Sequence, residues 1–148
     1  MAYTLRIDDK ISLELQFEAL LSQKIIYLKK DGEKPQKIGL NIEVIQSIVD
    51  LSGEIYQIVE RFSDGSVVIC KRYQLSNDIF LQLNTCGNGM AIDIRRYCCI
   101  NEELIPMRVG VNIKSDVLRP LMNGLIEMLE VNNLLKNKFI LKYNTMYM

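Results

Sequence analysis

The sequence PMRVGVNI at residues 106–113 lies 71 residues after PQKIGLNI at residues 35–42. Proline, a cation, glycine, asparagine and isoleucine occupy the same positions in both segments. Recurrence at a fixed spacing is the sequence signature of a duplicated structural unit. We therefore predict two diverged copies of one unit, at residues 1–62 and 66–131, followed by a basic and aromatic extension at residues 132–148.

Each copy shows four segments with strand patterns followed by one segment with a helical pattern. The predicted strands are 3–8, 11–17, 23–30 and 36–42 in the first copy, and 66–73, 78–84, 90–98 and 107–113 in the second. In residues 43–61 and 116–131, apolar residues recur at helical spacing, which predicts one amphipathic helix in each copy. In the extension, residues 138–143 have the pattern of a further strand.

Gly53 and Gly124 lie 71 residues apart, inside the two predicted helices. A glycine inside a helix is unfavourable by about 1 kcal/mol relative to alanine. Such glycines are either tolerated sequence drift or the place where two helices approach closely. The second interpretation predicts that the two units pack as a pseudo-twofold pair, with their helices antiparallel near the glycines.

The chain has no histidine, which excludes imidazole bases, Ser-His and Cys-His nucleophiles and most zinc sites. Its four cysteines contain no C-x-x-C pair, so we expect reduced thiols. The adjacent acids at residues 8–9 and 102–103 do not resemble a two-metal nuclease, and no glycine-rich phosphate loop is present. We expect a protein that is not an enzyme and needs no cofactor or metal.

The formal net charge is zero, but the charges are distributed unevenly. Residues 1–65 contain eight basic and eleven acidic side chains, whereas residues 66–148 contain ten and seven. An anionic partner is therefore expected to contact the second copy. The sequence has neither a secretory leader pattern nor an apolar run long enough to span a bilayer, so we expect a soluble intracellular protein in a reducing compartment, without a membrane partner.

The segment IDIRRY at residues 92–97, the polar loop after it, residues 106–113 and the closing helix together resemble the carboxy-terminal domain of the transcriptional coactivator positive cofactor four. The resemblance covers residues 66–131 and extends weakly to the first copy through the repeat. It implies an α+β fold of two tandem β-β-β-β-α units, each a curved antiparallel sheet with one helix, packed as a pseudo-dimer. It also implies binding of single-stranded nucleic acid with little sequence preference.

Three features of the sequence depart from the pattern of that family. The family's tryptophan is Cys98 here, its aromatic and lysine residues in a hairpin turn are replaced at residues 85–88, and its second cation after the proline is Val109. These departures affect residues of the binding surface rather than the pattern of strands. The fold is therefore more firmly predicted than the binding chemistry.

Alternation along the strands places Ile79, Ile92 and Val109, and the residues at the same parity, toward the helices. The opposite parity points outward and combines cations with aromatic rings, which is what a groove for single strands requires. The predicted nucleic-acid-binding residues of the second copy are Lys71, Arg72, Phe80, Arg95, Tyr97 and Arg108. The first copy supplies Lys29 and Lys37, but its outward Glu14 would repel phosphates.

The sequence therefore favours a non-enzymatic protein that binds single-stranded DNA or RNA and acts in transcription, in the nucleus or at a site of viral transcription or replication. Proteins of the transcription machinery and further copies of the chain, joined through sheet edges or helices, are the expected protein partners. A second hypothesis is a protein-interaction or assembly subunit that kept the dimeric scaffold and lost the groove. A third is a related sheet-and-helix family such as the plant Whirly proteins.

Overall fold

The computed structural model describes the backbone of residues 3–18, 23–63, 70–86 and 89–146, and the side chains of these residues except 18, 63, 86 and 135–146. The first copy forms sheet A, a four-stranded antiparallel sheet whose strands are adjacent in chain order. Its strands are β1 (Tyr3–Arg6), β2 (Ile11–Glu18), β3 (Gln23–Lys30) and β4 (Gln36–Asn41).

The second copy forms sheet B with the same order and the same antiparallel pairing. Its strands are β5 (Lys71–Gln74), β6 (Ile79–Cys86), β7 (Gly89–Ile100) and β8 (Glu103–Lys114). Helices follow each sheet, so the predicted α+β fold of two four-stranded antiparallel units is confirmed. Of the strand predicted at residues 66–73, residues 66–69 lie outside the described residues.

The helix of the first unit is interrupted, whereas that of the second is continuous and longer than predicted. Asn41 caps α1 (Ile42–Asp50) by accepting a hydrogen bond from the Val44 backbone N–H at 2.9 Å, and α2 (Ser52–Ser63) follows after Leu51. In the second unit, a short 3-10 helix (Ser115–Val117) leads into α3 (Leu118–Met146).

The strand predicted at residues 138–143 is wrong, because α3 continues through this segment. No glycine or proline occurs between Gly124 and the end of α3, so nothing in the sequence stops the helix once it has formed. Once a helix has started, each further residue fixes only its own backbone for one added hydrogen bond, which is more favourable than the first turn and lets the helix propagate.

Buried side chains from both units form one hydrophobic core. On sheet A the buried apolar side chains follow the predicted alternation, although Ser12, at the outward parity, is buried as well; on sheet B Ile79, Leu81, Leu83, Ile92, Ile94, Val111 and Ile113 follow it. Helix α1 packs on β3 and β4, whereas α3 packs on α1 and on β2. The last helix of the chain therefore covers part of the first sheet.

Gly124 makes this packing possible, but not in the way that the sequence suggested. A Cβ atom at Gly124 would overlap Ile7 Cδ1 and lie 3.1 Å from Leu13 Cδ1, so the close approach is between α3 and sheet A. A Cβ atom at Gly53 would meet nothing within 4 Å. The predicted crossing of the two helices at both glycines is wrong, since only one of the glycines is at a tight contact.

The ladders also correct the spacing of the repeat. By its pairing with the preceding strand, Ile38 of β4 corresponds to Val111 of β8, and Leu40 corresponds to Ile113. Each corresponding pair is separated by 73 residues rather than 71. The buried helix residues agree with the longer spacing, since Ile48 and Ile55 correspond to buried Leu121 and Met128. The difference arises at a bulge, where three residues of β8 stand opposite Arg96 alone.

Beyond this bulge β7 and β8 pair again over residues 97–106, and these residues together with the bulge residues 107–109 form an arm, which ends in a turn with positive φ at Asn101 and Glu102. The prediction that Val109 is buried in the core is wrong, because its side chain is 40% exposed. Its parity is that of the core-facing side, but the helices do not cover the arm.

Cys70, Cys98 and Cys99 are free thiols, and the side chain of Cys86 lies outside the described residues. Among the described residues, no helix combines the length and the apolar composition that crossing a lipid bilayer requires.

Candidate nucleic-acid interface

The outward face of sheet B, which points away from the helices, carries a cluster of Arg72, Phe80, Gln82 and Tyr97. The guanidinium carbon of Arg72 lies 5.0 Å from the centroid of the Tyr97 ring, and Arg72 Nε donates to Gln82 Oε1 at 3.2 Å. The Tyr97 hydroxyl donates to the same oxygen at 3.2 Å. The side chain of Gln82 therefore fixes both the cation and the ring, and Arg72 itself remains exposed.

The two rings of this cluster are less accessible than expected for stacking platforms. Phe80 and Tyr97 meet edge to face, with centroids 5.0 Å apart and planes at 73°, and each is only 6% exposed. They lie at the predicted outward parity, but they pack on each other. Each ring therefore covers part of the other, and neither presents an open face.

Arg95 is held by sheet B itself. Its Nε and NH2 atoms pair with the two carboxylate oxygens of Asp93, each at 3.0 Å, and NH1 donates to the backbone oxygens of Met107 and Arg108. Gly110 makes room for this side chain, since a Cβ atom there would lie 2.8 Å from Arg95 Cγ. Arg95 therefore joins β7 to β8 at the bulge and has few donors left for a phosphate.

Arg108 and Lys71 are both exposed but differ in their partners. Lys71 Nζ lies 2.6 Å from the carboxylate of Glu54 on α2, and 5.1 Å from the centroid of the Tyr73 ring. The hydrogen bond between them lowers the pKa of Glu54 and raises the pKa of Lys71. Arg108 has no ion-pair partner within the part of the chain that the structure describes.

On sheet A the predicted cations Lys29 and Lys37 lie on the outward face, but both have partners. Lys29 forms an ion pair with Glu14 on β2, and their hydrogen bond holds the pKa of Glu14 below its ordinary value. Lys37 lies over the ring of Tyr27 with its Nζ 4.2 Å from the centroid. Because Glu14 and Lys29 compensate each other's charge, this pair leaves little net positive charge on the outward face of sheet A.

Two cations that the sequence analysis did not select lie where the sheets meet. Lys30 Nζ donates to the backbone oxygen of Asn112 on β8 at 2.8 Å, and Arg96 NH2 donates to the backbone oxygen of Gly39 on β4 at 3.2 Å. Lys30 and Arg96 are equivalent positions of the repeat, so each unit supplies one cation to the edge strand of the other. The matching KK and RR pairs were the available signal.

Lys30 and Lys114 also line two adjoining clefts of about 320 and 200 Å³ at the ends of β3 and β8. Lys10 adds a third cation there, and Asp8 and Asp116 supply two carboxylates. The mixed charges give these clefts little net preference for an anion. The outward face of sheet B therefore remains the best candidate, with Arg72 and Arg108 as its available cations.

Comparison with protein-family models gives no match, and comparison with curated proteins gives none either. The likeness to the positive cofactor four family thus stays a prediction from the residues quoted above.

Proposed function

We propose that the protein binds single-stranded DNA or RNA without strong sequence preference, along the outward face of sheet B. The observation that supports this proposal is the position of Arg72 over Tyr97, beside Phe80 and within the same sheet as the exposed Arg108. Arginines can neutralise phosphates, and aromatic rings can stack on bases once their faces open. In this proposal the two units act as the halves of a pseudo-dimer, and the protein serves transcription or a related process.

In this proposal the binding residues differ from the set that the sequence predicted. Arg72 and Arg108 contact phosphates, Tyr97 and Phe80 form the base of the groove, and Arg95 keeps β7 and β8 in position. Gln82 and Asn84, which are joined by a 2.8 Å hydrogen bond, offer polar groups to the bases. Lys71 does not share this face: it pairs with the buried Leu83, so it lies on the helix side of sheet B, where it forms an ion pair with Glu54.

The test is a salt titration of binding to labelled oligo-dT, measured by fluorescence anisotropy. Each neutralised phosphate of a single strand contributes roughly 0.7 to the slope of log affinity against log salt. Replacing both Arg72 and Arg108 by alanine is expected to lower the affinity at least about tenfold and to reduce the slope by roughly 1.4.

Arg119→Ala is the matched control, because Arg119 is an exposed arginine on α3 whose guanidinium carbon lies 5.1 Å from the Tyr56 ring centroid. It removes one positive charge away from sheet B, against two in the double variant, and should leave the affinity nearly unchanged. Equal losses in the control and in the double variant would show that binding follows overall charge. No binding of the wild type at low salt would refute the proposal.

The second candidate function is a protein-interaction or assembly subunit. It is favoured by the internal use of Arg95, Phe80 and Tyr97, whose donors and ring faces are satisfied within sheet B. A protein of this class would fail to bind oligo-dT at any salt concentration and would still fold cooperatively.

A further inference from the structure

Asn112 on β8 is held by two side chains of the first unit. Its backbone N–H donates to Gln36 Oε1 at 2.9 Å, and its backbone oxygen accepts from Lys30 Nζ at 2.8 Å. The N–H and the C=O of one residue lie on the same side of a strand, and β8 is an edge strand of sheet B. The two side chains of the first unit therefore take the place of a neighbouring strand at this edge.

The side chain of Asn112 extends this contact into the outward face of sheet B. Asn112 stands directly opposite Asp93 on β7. Its Nδ2 donates to Asp93 Oδ1 at 3.3 Å, and the same oxygen accepts from Arg95 NH2 at 3.0 Å. Asp93 is only 8% exposed, so water competes little for these contacts. The carboxylate of Asp93 therefore joins Asn112 to Arg95.

Arg95 connects these contacts to the bulge. Its NH1 donates to the backbone oxygens of Met107 and Arg108, at 2.9 and 3.2 Å. The backbone that carries the Arg108 side chain is thus fixed by Arg95. Four residues form a hydrogen-bonded relay from the first unit to this backbone: Gln36, Asn112, Asp93 and Arg95.

We propose that Gln36 is a positioning residue for nucleic-acid binding by sheet B and acts through the relay on Arg108. The inference rests on the proposed function, because the binding step that Gln36 controls is the contact of Arg108 with a phosphate. Gln36 carries no charge and therefore contributes nothing of its own to the salt dependence of binding. The first unit thereby contributes to binding without supplying a phosphate contact.

The relay can transmit a change because its members share an acceptor. Asp93 Oδ1 accepts from both Asn112 and Arg95, so a shift of Asn112 alters how Arg95 is held. Gln36→Leu removes an acceptor and leaves the N–H of the half-buried Asn112 without its partner. We expect β8 to shift in response and Arg108 to lose its position.

Anisotropy titrations of Gln36→Leu with labelled oligo-dT at several salt concentrations test this proposal. The affinity should fall about threefold or more. The slope of log affinity against log salt should also decrease, by at most the roughly 0.7 that one phosphate contributes. A variant that only destabilises the fold would lose affinity without changing this slope. Gln46→Leu is the matched control, because Gln46 is an exposed glutamine on α1 that bonds Asp50.

A double-mutant cycle assigns the effect to Arg108. In the Arg108→Ala background, Gln36→Leu should change the affinity less than about twofold, because the side chain that it positions is gone. Losses that multiply would overturn the proposal. An unchanged salt slope in Gln36→Leu, or an equal loss in Gln46→Leu, would overturn it too. These three outcomes leave the proposed function intact, whereas absence of binding by the wild type overturns both.

Asn112→Ala keeps the test valid if Gln36→Leu disturbs folding. It interrupts the relay one step later and retains the backbone bonds of Asn112 to the first unit. It also removes no charge, so a lower affinity with a lower salt slope is again expected. An Asn112→Ala variant that binds oligo-dT like the wild type would overturn the proposal.

Discussion

Sheet A and sheet B have the same strand order, the same antiparallel pairing and the same pattern of apolar inward-facing residues. Their outward faces differ in how the charged side chains are paired. On sheet A, the lysine Lys29 forms an ion pair with Glu14, on a neighbouring strand, across the exposed surface. On sheet B, Arg95 and Asp93 form a largely buried pair, and Arg72 and Arg108 remain exposed. The comparison shows that similar cores tolerate one outward face on which a lysine is paired with an acid and another on which two arginines stay exposed.

The largest expected effect is the difference in stability between variants of the Arg95–Asp93 and Lys29–Glu14 ion pairs. Arg95→Ala leaves the carboxylate of Asp93, a residue only 8% exposed, without its cation and removes the bonds to β8. We expect the free energy of unfolding to fall by about 2–4 kcal/mol. Lys29→Ala removes a more exposed pair and should cost less than about 1 kcal/mol. Urea denaturation of both variants measures the difference, and equal losses would contradict the proposed structural role of Arg95.

The two helix glycines provide the next comparison. Gly124→Ala places a methyl group against Ile7 and Leu13 and should destabilise the protein by about 1–3 kcal/mol. Gly53 lies in α2, and a methyl group there would contact nothing within 4 Å. Gly53→Ala should therefore stabilise the protein by about 0.5–1 kcal/mol, because alanine is the better helix former. Thermal and urea denaturation report both changes. A destabilising Gly53→Ala would mean that the two glycines have similar surroundings after all.

The outward faces can be compared by binding. Arg108→Ala should weaken oligo-dT binding about threefold to tenfold and lower the salt slope by roughly 0.7. Lys37→Ala should change affinity less than about twofold, because Lys37 lies over Tyr27 and sheet A carries Glu14 nearby. Anisotropy titrations at several salt concentrations measure both variants. A larger effect at Lys37 would place the groove on sheet A.

The smallest expected effect is a pH dependence at Glu14. The hydrogen bond from Lys29 lowers the pKa of Glu14 in the folded protein, below an unfolded value of about 4.3. Its contribution is therefore present above the unfolded pKa and is lost as pH falls through the folded pKa. Glu14→Gln should remove that part of the acid sensitivity, worth less than about 1 kcal/mol. Urea midpoints of both proteins at neutral and acidic pH measure it, and identical slopes below pH 5 would contradict it.

The sequence was sufficient to predict the fold but only part of the candidate site. Alternation along a strand predicts which side a residue faces, and it did so correctly for Leu81, Ile92 and Val111. It does not predict whether anything covers that side, so the exposure of Val109 was missed. Parity also placed Phe80 and Tyr97 outward but could not show that the two rings pack together.

For a similar reason, the sequence pattern could not predict which side chains pair with the cations. Arg95 and Arg108 have the same parity, yet one is fixed by Asp93 and by the bulge and the other is exposed. The bulge adds two residues to the spacing between equivalent positions of the two units. The sequence did not show this, because identical residues recur at a spacing of 71. Insertions that preserve parity leave the hydrophobic pattern intact, which is why the motif looked continuous.

The placement of α3 on sheet A has a consequence for how the chain reaches its native state. Tyr3 on β1 donates a hydrogen bond to Glu127 on α3 across a separation of 124 residues, and Gly124 packs against Ile7. Contacts between such distant residues require closure of a very long loop, which slows folding. During synthesis, β1 and β2 leave the ribosome long before α3 does. Their apolar face therefore waits uncovered until the last helix emerges, and docking of that helix is expected to complete the core.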